Sequence, residues 1–77
     1  MNNTITDVII HTNKNLSDEE FTELSEHVYA SEGVVSLSRN VHTPKFLMVV
    51  YNATKIRSKN ILNTVIGSGH EATLVGI

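Results

Sequence analysis

The chain contains no cysteine, no tryptophan and a single proline, with only two phenylalanines and two tyrosines in 77 residues. Without cysteine there is no disulfide, no thiolate metal centre and no thiol nucleophile. That absence fits a reducing, cytoplasmic setting. So few aromatic rings make no stacking platform for single strands. A net charge of −2 also lacks the basic footprint of a nucleic-acid binder. Long apolar runs are missing as well. The longest, residues 8–10 and 46–51, are far too short to span a bilayer. The opening Met1-Asn2-Asn3-Thr4 is polar and is not a charged-then-apolar leader. The expectation is one small domain over residues 1–77, with no nucleic acid and no membrane insertion.

What is present has a clear order. Residues 6–12, TDVIIHT, are short and β-branched and predict a first strand. Ser17-Asp18-Glu19-Glu20 then has the form of a capping box. The Ser17 hydroxyl accepts from the Glu20 amide, and the Glu20 side chain returns to the Ser17 amide. Acidic residues there also suit the positive end of a helix dipole. Phe21, Leu24, Val28 and Ala30 follow at helical spacing, and the helix is expected to end near Ser31-Glu32-Gly33, with Gly33 at positive φ.

Residues 34–41 predict a second, weaker strand, and His42-Thr43-Pro44-Lys45 a turn. Phe46-Leu47-Met48-Val49-Val50-Tyr51 is the strongest strand signal in the chain. After a connection, Ser58 is the expected cap of a second helix, with Ile61, Leu62, Val65 and Ile66 as its buried stripe. Gly67-Ser68-Gly69 stops it, and residues 71–75 form the last strand. The order β-α-β-β-α-β predicts an α+β, ferredoxin-like sandwich: four antiparallel strands, the first and third central, with two helices on one face.

At this point the residues resemble a known family. Gly33-Val34 after the first helix, Val49-Val50-Tyr51-Asn52 closing an apolar strand, Ile61 and Val65 on the second helix, and Gly69-His70-Glu71-Ala72 beyond it are similar to the heavy-metal-associated domains. These are the fold of copper chaperones and of the metal-binding modules of metal-pumping ATPases. The resemblance covers nearly the whole chain and implies the same fold and a setting near metal handling. The family's metal site is a Cys-x-x-Cys at the start of the first helix. Counted back from Gly33, those positions fall on Ser17 and Glu20. A hydroxyl and a carboxylate do not replace two thiolates for a soft cuprous ion, so copper shuttling does not carry over. In some copper chaperones a histidine follows the second helix's glycine beside the metal loop, and His70 takes that place. The resemblance therefore leaves open a divalent zinc, copper or nickel ion on His70 with Glu20 or Asp18, and His11 as a further ligand. The plainer reading of His70 is a solvent-facing residue at a strand entrance.

Nothing else has catalytic form. The four histidines are dispersed and make no H-x-x-H or H-E-x-x-H pair. The serines lack a nucleophile-elbow context, and the Gly-Ser-Gly stretch follows a helix where phosphate loops precede one. No enzyme is expected. Lys55, Arg57 and Lys59 surround the start of the second helix, where the dipole disfavours cations. They suggest a basic docking edge, or simply three side chains in water.

The central strands are more informative. If Val8, Ile10, Thr12, Leu47, Val49 and Tyr51 face the helices, then Ile9, His11, Phe46, Met48 and Val50 face away. A half-exposed sheet should alternate apolar with polar residues, and these strands do not. Ile9, Phe46, Met48 and Val50, joined by Val75, make an apolar patch on the open face, the kind of surface that marks an interface. The expected function is a small non-enzymatic binding module that contacts another protein, or a second copy of itself, through that face or through the first helix's loop.

Overall fold

The computed structural model describes residues 4–75. The strands are β1 (Ile5–Thr12), β2 (Val34–Arg39), β3 (Phe46–Asn52) and β4 (Ala72–Val75), and the helices are α1 (Asp18–Tyr29) and α2 (Ser58–Gly67). The sheet order is β2-β3-β1-β4, and every neighbouring pair is antiparallel. The two strands with the most apolar sequence therefore lie in the centre. This is the ferredoxin-like sandwich.

One face of the sheet is sealed by the helices. Val8, Ile10, Leu37, Leu47, Val49 and Tyr51 from the strands meet Leu24, Val28, Ile61 and Val65 from the helices in a single core. Leu24 and Val28 lie one helical turn apart, as do Ile61 and Val65, so each helix presents a narrow stripe. Thr12 is fully buried at the end of β1, its hydroxyl donating to the carbonyls of Lys14 at 2.9 Å and Lys45 at 3.2 Å. A buried hydroxyl without partners would cost free energy; this one has its single proton within reach of both carbonyls.

The structure departs from the sequence reading at its element ends. α1 stops at Tyr29, and Ala30 is its exposed C-cap instead of a core residue. Gly33 does take the left-handed conformation, at φ 102°. β2 ends at Arg39, and Val41 lies in the following turn, 85% exposed. Ser58 is not a cap: it is the first residue of α2, and Arg57 holds the cap position without a side-chain bond. Ile66 is not part of the buried stripe either. It is 47% exposed, while Leu62 is half-buried against the core. Four apolar residues in six made the stripe look wider than the sheet beneath it.

Candidate functional site

The loop between β1 and α1 is closed by its own bonds. The Ser17 amide donates to Glu20 Oε1 at 2.9 Å, and the Glu20 amide donates to Ser17 Oγ at 3.1 Å. The second carboxylate oxygen of Glu20 lies 3.2 Å from Lys14 Nζ. The Ser17 amide bond, followed by Lys14, holds the Glu20 carboxyl below its ordinary value. The loop is also tied outward. Asn13 bonds Glu71 through both backbone and side chain, each at 2.9 Å. Arg39, reaching across from β2, donates to the Leu16 carbonyl at 2.9 Å and to Asp18 Oδ1 at 2.6 Å, with its guanidinium 4.7 Å from the Phe21 ring centre. Leu16 precedes the cap and is buried, and Phe21 stands at the fourth helical position. These are the two positions of a hydrophobic staple.

The two positions at which the resemblance places thiols thus bear hard oxygen donors that already hold each other. That donor set does not fit a cuprous ion. The residues considered for a divalent ion lie in three places. His70 and Glu20 line one crevice of about 300 Å³, together with Glu23, His27 and Ser68. Asp18 is turned to Arg39. His11 sits on the open sheet face with its ring 4.9 Å from that of Phe46. Among the described residues no three His, Asp or Glu side chains gather as a potential ion site. His70 does have an unusual feature: its Nδ1 is buried and has no hydrogen-bond partner among the described residues. His27 is exposed, with its Nδ1 3.0 Å from Ser68 Oγ, and His42 is exposed in the turn.

At the start of α2, Lys55 lies 3.6 Å from Glu32, and Arg57 and Lys59 are exposed. One of the three basic groups is therefore partly matched within the chain.

The open face follows directly from strand register. Ile9 stands opposite Met48 on one side and Val75 on the other, and Met48 stands opposite Ser38. Ser38, Met48, Ile9 and Val75 thus form one row across all four strands. The next row runs Phe46, His11, Thr73, and the row on the other side runs Ser36, Val50, Asp7. Met48 is 38% and Val75 37% exposed, and Ile9, Phe46 and Val50 are half-buried. Alternation along β1 also puts Ile5, 53% exposed, on this side. The sequence reading missed Ile5, although its spacing of two from Asp7 and four from Ile9 carried the signal. It also missed Leu16 and Arg39, whose roles depend on distant segments.

No family model matches the chain, and no curated protein matches it. Solved structures do. The chain is similar to the N-terminal domain of a potential copper-translocating P-type ATPase from Bacillus subtilis, solved in its Cu(I)-loaded state, at 15% identity and TM-score 0.82 over 95% of this chain and 90% of that one. It is similar to oxidised MerP from Ralstonia metallidurans CH34, at 11% identity and TM-score 0.81 over 95% of this chain and all of that one. The CopZ metallochaperone matches at 13% identity and TM-score 0.79, over 88% of this chain and all of that one. The chain therefore has the fold of the heavy-metal-associated domains.

Proposed function

We propose that the chain is a non-enzymatic, cytoplasmic protein-binding module on a heavy-metal-associated fold, acting through the open face of its sheet in a metal-handling context. One observation carries this: the row Met48, Ile9, Val75 runs apolar across three strands on the side the helices leave bare. Polar residues at those positions would cost the core nothing. Apolar side chains there gain only when another surface covers them. The setting is supported by the structural neighbours, several of which are named for copper.

The competing reading is a divalent ion on His70 with Glu20 or Asp18. The unpartnered Nδ1 of His70 favours it. The existing bonds of Glu20 and Asp18 weigh against it, since an ion must displace Ser17 and Lys14 from one or Arg39 from the other.

One pair of measurements separates the two. The tagged chain and its Met48→Glu, Val50→Glu variant are used to capture partners, and backbone amide shifts are recorded with zinc and with cuprous ion. Protein contact predicts a partner, whether another protein or a second copy, held by the original chain and lost by the variant, with metal-induced shifts absent from residues 12–20 and 68–71. A partner retained by the folded variant, with saturable zinc shifts at those residues, overturns it.

A further inference from the structure

We propose that the open sheet face takes a second copy of this chain, the two sheets stacked about a two-fold axis that runs across the strands along the Ser38, Met48, Ile9, Val75 row. This deepens the protein-contact reading above and rests on it.

The face has the pattern such an axis requires. On β1, Asp7 and His11 lie on the open side at equal distances from Ile9, two residues before it and two after. Rotation about the central row places each row of one copy on the opposite row of the other. Asp7 then faces His11 of the second copy, and His11 faces its Asp7, because the rotation keeps β1 over β1. On β3 the same operation places Phe46, two residues before Met48, over Val50, two residues after it. Acid meets imidazole twice, apolar meets apolar twice, and the axis itself carries Met48, Ile9 and Val75, each against its own copy. The register that sets these rows is the paired ladder of β1, β3 and β4. Sheets stacked this way run with strands aligned, about 10 Å apart.

The other face-to-face two-fold, parallel to the strands, exchanges β1 with β3. It sets Asp7 over Val50 and Val75 over Ser38. A carboxylate pressed on a valine loses water and gains nothing, so the cross-strand axis is favoured. An imidazole N–H suits a carboxylate, which only accepts. A protein of unrelated surface has no reason to match an acid and a base set symmetrically about an apolar row, whereas a second copy matches it by symmetry.

Area fixes the strength. Four strands about 4.8 Å apart, each giving about five residues at about 3.4 Å, make a face of roughly 300–350 Å² per copy. The area removed from water falls below the ~1,200 Å² of standard stable interfaces. The dimer is therefore transient and forms as concentration rises.

Sedimentation of the whole chain from micromolar to millimolar concentration, with amide shifts recorded over the same range, tests this. The expected weight-average mass rises from 8.5 kDa toward twice that value, with shifts confined to the four strands of the sheet. Asp7→Lys and His11→Glu each weaken association tenfold or more. The double variant Asp7→Lys, His11→Glu reverses the pair and restores it to within threefold. Glu26→Lys, exposed on α1 on the other side of the sheet, leaves it unchanged. Circular dichroism confirms that each variant is folded. A mass fixed at 8.5 kDa up to millimolar concentration overturns the proposal. So does a folded double variant that associates no better than the single ones. If the mass stays fixed while Met48→Glu, Val50→Glu still loses a captured heterologous protein, the second copy is excluded and the protein-contact reading stands. Loss of both removes both.

Discussion

Ser17 and Glu20 hold each other by two reciprocal hydrogen bonds, at 2.9 and 3.1 Å, across the first turn of α1. The pair starts a helix at the two positions where the resemblance places thiols. The first prediction follows from that exchange. The double substitution Ser17→Cys, Glu20→Cys removes the capping box and installs a soft donor pair at the same spacing. The original chain should hold no cuprous ion against a moderate competing chelator, and the double variant should hold one per chain. Ser17→Ala alone should lower stability by about 1 kcal/mol, measured by chemical unfolding.

Acid should loosen the same turn. The Ser17 amide and Lys14 keep the Glu20 carboxyl below its ordinary value, so the folded chain binds that proton less readily than the unfolded one. The stabilisation is complete above the unfolded carboxylate range, about pH 4.3, and is lost as pH falls through the lowered folded value. Glu20→Gln should therefore be less stable than the original chain at pH 7, and the difference should shrink below pH 4. Unfolding curves at both pH values, with the Glu20 carboxyl followed by NMR, check the sign.

Much of this was legible in the sequence, for reasons of range. The capping box is a local pattern, with its partners three residues apart, and a strand's two faces are set by alternation alone. Hence Ser17, Glu20, Ile9, Met48 and Val50 fall where their spacing puts them. Arg39 was illegible because its partners, Leu16, Asp18 and Phe21, lie 23, 21 and 18 positions earlier; no local pattern marks such a strap. Ile66 misled because helical period identifies a stripe but not the width of the surface that covers it. His70 lay between: its place by the loop was expected, but the burial of its Nδ1 has no local pattern to mark it.

The width of the α2 stripe gives a third prediction. Ile61 is 1% exposed and Ile66 is 47% exposed. Ile61→Ala should cost about 2–5 kcal/mol through lost burial and the cavity left behind. That is a large share of what a chain of this size has, about 4–12 kcal/mol. Ile66→Ala should stay within about 0.5 kcal/mol. Equal losses at the two sites in urea titrations would mean that Ile66 is covered in solution.

Gly33 and Gly69 give the fourth. Both lie in the left-handed region, at φ 102° and 96°, so any side chain is strained at either position, by about 1–2 kcal/mol. Their surroundings differ. A Cβ on Gly33 would come within 2.9 Å of Lys55 Cβ and 3.0 Å of Ile56 Cγ2, while one on Gly69 meets nothing within 4 Å. The Gly33 carbonyl also accepts from the Asn52 amide at 2.7 Å, which ties the entry of β2 to the end of β3. Relieving the Cβ contact by moving the 52–56 connection pulls on that bond. Gly69→Ala should therefore cost only the backbone strain, and Gly33→Ala should cost at least about 1 kcal/mol more. Thermal unfolding of the two variants side by side measures the difference. Equal losses would show that the 52–56 connection yields freely, and that the junction of α1, β2 and β3 does not depend on the close approach at Gly33.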